Sequence, residues 1–103
     1  MVITKEIQEL IPIAPIIPIV TVSSKGEPHL IVVGKVKEVR DSDILVFDIY
    51  KMQTTQQNIL ETGKMQVVIA SREGTPRGYR ITGKAQVEGK QVLFKAERAE
   101  PLL

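Results

Sequence analysis

Tyr79-Arg-Ile-Thr-Gly-Lys-Ala-Gln-Val-Glu88, followed by Gly89-Lys90 and then Gln91-Val-Leu-Phe-Lys-Ala-Glu-Arg-Ala-Glu100, is the stretch that decides the fold. Tyr79, Ile81, Gly83, Ala85 and Val87 fall on one face of an extended chain, and Arg80, Thr82, Lys84, Gln86 and Glu88 on the other. One face is core and the other is wet. Lysine, alanine and glutamate after Gln91 would also suit a helix, but Val92, Phe94 and Ala96 alternate against Leu93, Lys95 and Glu97. Gly89-Lys90 resolves the choice, because a two-residue link that begins with glycine suits a type II′ hairpin. The last strand is therefore expected to end near Pro101.

Upstream, Met65-Gln-Val-Val-Ile-Ala70 reads as a largely buried strand, and Ser71 to Gly78 as a loop rich in turn formers. Ile19-Val-Thr-Val-Ser23 is strand-like, and Ser24-Lys-Gly-Glu-Pro28 is a turn. A long strand, His29 to Val39, is expected next, apolar on both faces at first and alternating after Gly34. Gly34 marks either a bulge or a place where a backbone or flat ligand comes close. Arg40-Asp-Ser-Asp43 then connects to Ile44-Leu-Val-Phe-Asp-Ile49. The fold class that follows is mainly β, a six-stranded antiparallel barrel, closed or nearly closed, with two short helices, since closure removes exposed edges.

The first helix is expected in Thr4 to Ile11, capped by Thr4 and ended by Pro12. Pro12, Pro15 and Pro18 recur in an apolar setting and read as a buried extended lead-in. The second helix follows Asp48-Ile-Tyr-Lys-Met-Gln53. Thr54 and Gln57 have capping-box spacing and Gly63 supplies a stop, which implies about two turns. Free N–H groups at its start make either an ordinary capped turn or a seat for phosphate.

Composition narrows the chemistry. At 103 residues the chain is one domain, residues 1–103, and its 43% hydrophobic and 25% charged content is that of a soluble globule. Its apolar runs are too short for a membrane span and no leader pattern stands at the N-terminus, so a cytoplasmic location is expected. With no cysteine and one histidine, thiolate chemistry and a multi-histidine metal site are excluded. No catalytic acid or base can be assigned, so chemistry is expected from a bound cofactor. The net charge of +2 is dispersed, which favours a small anionic ligand over nucleic acid.

The order of these elements resembles the flavin-binding split barrel of the pyridoxamine 5′-phosphate oxidase-like superfamily, most of all its small FMN-binding and flavin reductase-like members. The resemblance is carried by Ile19 to Val33 with its Gly-x-Pro-His turn, by Met52 to Ile59, by Gly78 to Ala85, and by Glu97 to Leu102. It implies a homodimer with FMN in a groove between subunits and a flavin-dependent oxidoreductase or electron carrier. By position, Val32, Val33, Gly34 and Lys35 would line the cofactor from the second strand, and Phe47 and Asp48 from the third. Thr54 and Thr55 would meet the phosphate, with Lys51 assisting. Many relatives carry lysine or arginine where this chain has Gln53 and Thr54, which leaves Lys35 or Lys51 to supply the charge. The alternative is a module of the same fold that holds a deazaflavin, haem or a partner protein without catalysis.

Overall fold

The structure, a computed structural model, describes residues 1–102. Two helices and seven strands follow in the order α1 (Lys5–Leu10), β1 (Ile17–Val22), β2 (Pro28–Val33), β3 (Glu38–Arg40), β4 (Ile44–Asp48), α2 (Gln53–Thr62), β5 (Lys64–Ser71), β6 (Arg77–Glu88) and β7 (Gln91–Pro101). All pair antiparallel in one sheet of order β2-β1-β5-β6-β7-β4-β3. The β6–β7 hairpin turns as its sequence requires: Gly89 takes φ of 61° and Lys90 does not enter the left-handed region. Ile81, Gly83 and Ala85 of β6 face inward, as the alternation demands.

Seven strands stand where six were expected, because the long second strand divides. Its first half pairs with β1 and its second with β4, at opposite ends of the sheet. A flat seven-stranded sheet would be about 29 Å across. The connection at residues 34–37 can reach at most about 18 Å between the two edges. The sheet must therefore curl until its edges nearly meet, leaving an open seam at that connection. This is the split of the barrel. β2 is not covered on both faces as expected: Leu30 and Val32 are 64% and 57% exposed.

Inside the curl lie Ile17 and Ile19 of β1, Leu45 and Phe47 of β4, Met65, Val67 and Ile69 of β5, Ile81 of β6 and Phe94 of β7. Each such side chain, fully withdrawn from water, contributes about 1.5–3 kcal/mol. Ile3, Ile7 and Leu10 add α1 to the same core. Thr4 caps α1 by accepting from the Ile7 N–H, as its position implied. Pro12 ends the α-helix but lies in a further 3-10 turn, Ile11–Ile13. The proline segment is thus no buried extended lead-in, since Pro15 and Ile16 are exposed. Among the described residues no helix is long and apolar enough to cross a membrane, and no group of three or more His, Cys, Asp or Glu side chains could hold a metal ion.

Candidate functional site

A cavity of about 410 Å³ opens at the seam. Its first wall is the end of β2 and the bend after it: Ile31, Val32, Val33, Gly34, Lys35 and Lys37. Its second is the end of β4 and the lead into α2: Asp48, Tyr50, Lys51 and Met52. Gly34 is not a bulge within a ladder. It sits at the bend where the chain leaves one sheet edge for the other, and a Cβ there would meet nothing within 4 Å.

Three lysines and one carboxylate line this space. Lys37 Nζ pairs with Asp48 Oδ2 at 3.3 Å, both side chains about half exposed. Such a surface pair contributes no more than about 1 kcal/mol. Gln91 Nε2 also donates to Asp48, at 3.4 Å. Among the described residues Lys35 and Lys51 have no carboxylate partner, so the cavity carries an excess of positive charge over largely apolar walls.

The start of α2 reinforces that sign. Met52, not Thr54, occupies the N-cap, in the left-handed region at φ 57° and ψ 37°, and Lys51 before it has φ 62°. A methionine offers no oxygen to the first free N–H groups, no other side chain caps them, and the first turn holds no acid. The positive end of the helix dipole therefore stands uncompensated beside the cavity that Met52 lines. Thr54 lies two residues too deep to cap, and the expected capping box does not form: Gln57 donates to Glu61 at 2.9 Å instead. The helix runs ten residues, longer than the two turns expected, and ends at Gly63 as the sequence indicated, with φ 69°.

Of the residues named from the sequence, the cavity brings together Val32, Val33, Gly34, Lys35, Asp48 and Lys51. Phe47 is elsewhere: at 1% exposure it is core, because alternation along β4 turns it inward while Asp48 turns out. Thr55 is buried at 2% exposure with its Oγ1 unpartnered, and its side chain does not line the cavity. Thr54 lines a separate polar depression of about 340 Å³ with Ser23, Glu27, His29, Asn58 and Glu61. Gln57 first, and then the Ser24 N–H, hold the Glu61 carboxyl below the usual carboxylate range. Asn58, 4% exposed, donates to Thr21 Oγ1 at 3.1 Å and fixes α2 to β1. Ile31, Lys37, Tyr50 and Met52 were not picked out as site residues. The adjacency of Tyr50 to Lys51 and the alternation of Lys35 with Lys37 were the available signals.

A family model described as pyridoxamine 5′-phosphate oxidase matches residues 3–100. The chain belongs to the pyridoxamine 5′-phosphate oxidase family. Similar structures include a variant of HupZ from Group A Streptococcus, 26% identical over 97% of this chain and 99% of that one, with a TM-score of 0.80. An FMN-binding protein from Syntrophomonas wolfei is 16% identical over 93% of this chain and 88% of its own, with a TM-score of 0.68. HutZ, the heme storage protein of Vibrio cholerae, is 11% identical over 97% and 92%, with a TM-score of 0.62. The last two show the fold alone. No curated protein sequence matches the chain. The residues present in this member of the family fit an anionic, partly flat ligand: apolar β2 side chains, cations without partners and Met52, the N-cap of the uncapped helix α2, line one space.

Proposed function

We propose that the chain is a homodimeric FMN-binding protein, acting as a flavin-dependent oxidoreductase or electron carrier. The observation that carries the reading is the seam cavity, in which Lys35 and Lys51 lack acidic partners and the α2 N-terminus lacks a cap. The N–H groups of Gln53, Thr54 and Thr55 would hold the phosphate, with Lys51 and Lys35 supplying the charge that the family often places at positions 53 and 54. Val32 and Val33 would exclude water from one side of the ring system. The flavin, when bound, supplies the hydride or electron chemistry. The chain's own part in this reading is binding and orientation.

A second copy is part of this reading. Leu30, Val32 and Ile16 expose more than half their surface on or beside the edge strand β2. An apolar edge of that kind favours cover, and a symmetric dimer is the commonest solution. The partner would also wall the open side of the cavity. Deazaflavin and haem share the flat, anionic chemistry, but the single histidine, His29, lines the other depression and not this cavity.

The test is a visible spectrum of natively purified protein, then titration with FMN, deazaflavin and haem, with light scattering on the same sample. Saturable quenching of FMN fluorescence by a dimer supports the proposal. A monomer without flavin absorbance, quenching or thermal shift refutes it.

A further inference from the structure

Four aromatic side chains occur in the chain, and three are committed elsewhere. Phe47 and Phe94 are buried in the core at 1% and 0% exposure. Tyr79 donates its hydroxyl to Glu6 Oε1 on α1. Tyr50 remains, 76% exposed and lining the seam cavity. Packing does not account for it, because an aromatic so exposed buries little and its hydroxyl has no partner among the described residues. Its neighbours, by contrast, are tied down on both sides. The Ile49 N–H donates to Lys90 O at 2.9 Å, and Gln56 Nε2 donates to Lys51 O at 3.0 Å. Tyr50 is thus held at the cavity mouth by anchored backbone, with the Lys51 ammonium over its ring 5.5 Å from the centroid. The wall across the seam is the apolar end of β2.

We propose that Tyr50 is a positioning residue for the cofactor: its ring stacks on the flat heteroaromatic system, which is held between Tyr50 and the Val32–Val33 wall. The inference rests on the FMN reading above and adds to it the group that orients the ring. Stacking of this kind needs only a π-face and a fixed partner, so it acts on the ring and leaves the phosphate contacts alone. Lys51 stands between the two ends in the chain, its ammonium over the Tyr50 ring and its backbone directly before the N-cap Met52.

The test compares wild type, Tyr50→Phe and Tyr50→Leu by FMN titration, reading both affinity and the fluorescence of the saturated complex. Tyr50→Phe is expected to bind within about twofold of wild type and to quench as fully. Tyr50→Leu is expected to bind about tenfold more weakly, with part of the flavin fluorescence restored at saturation. Unliganded melting temperatures should agree among the three, because the side chain is exposed. If Tyr50→Leu matches wild type in affinity and quenching, stacking is refuted while the FMN reading stands. If wild type itself does not bind FMN, both are overturned.

Discussion

Replacing Gly83 by alanine should damage the fold more than any other single methyl addition to a glycine here. A Cβ built at Gly83 lies 2.1 Å from the Lys95 carbonyl oxygen, 3.0 Å from its carbon and 3.1 Å from Ala96 Cα. An ordinary C···O approach is about 3.3 Å or more, so β7 would have to retreat by about an ångström. It cannot do so alone, because β7 is paired with β6 on one edge and β4 on the other. Gly83 also sits at the irregularity where pairing jumps from Thr82–Arg98 to Gly83–Ala96 and leaves Glu97 unopposed. Such a bulge bends its strand, and bending here helps close the barrel toward the seam. Overpacking against backbone costs about 3 kcal/mol, and the gain from stiffening the unfolded chain returns less than about 1. A domain of this size, losing about 2–3 kcal/mol net, should then melt about 8–24 °C lower. Thermal denaturation followed by circular dichroism measures this, with Gly34→Ala as control, where nothing lies within 4 Å and no drop is expected. A Gly83→Ala protein melting within about 3 °C of wild type would refute the argument.

Removing the Asn58 amide should loosen α2: Asn58→Ala leaves Thr21 buried without its donor and should cost about 1–3 kcal/mol in urea unfolding. Thr55→Val removes an unpartnered buried hydroxyl and should raise the melting temperature of the ligand-free protein by a few degrees; a fall would show that Oγ1 has a partner there. Lys35→Gln and Lys51→Gln should each weaken FMN binding about five- to tenfold and flatten its salt dependence, read by fluorescence titration at two ionic strengths. The Tyr79 hydroxyl first, and then Arg77, depress the Glu6 carboxyl below its ordinary range, so this contribution to stability is present above the unfolded value near pH 4.3 and is lost as the pH falls through the lower folded value. Glu6→Gln should therefore melt lower than wild type at pH 6, and the two should converge as the pH falls below the folded value.

The residues visible at the level of sequence are those whose role depends on near neighbours. The alternation of Tyr79 to Val87 placed the β6 face, Gly89-Lys90 placed the hairpin, Thr4 capped α1 and Gly63 ended α2, because each acts through contacts within a few residues. The candidate site was legible where it uses strand ends: Val32 to Lys35, Asp48 and Lys51 line one cavity. Phe47 lies in the core and outside the cavity lining because a strand end exposes one neighbour and buries the next, and the inward choice depends on pairing across to Val92. Thr54 was misread as a cap because Met52 in the left-handed region has no local signature; its conformation is imposed by the turn that carries the chain from β4 into α2.

By itself, then, the sequence determined an antiparallel β domain without cysteine chemistry, with two short helices and a loose excess of positive charge. Only the tertiary structure decided where that charge collects. The segment from His29 to Val39 divides between β1 and β4, partners at opposite edges of the sheet, and a four-residue bend cannot join those edges unless the sheet curls. That curl brings Lys35 to Lys51, Val33 to Tyr50, and the open start of α2 to the same seam. Local periodicity carries no record of such a meeting, because it arises from pairing between strands far apart in the chain.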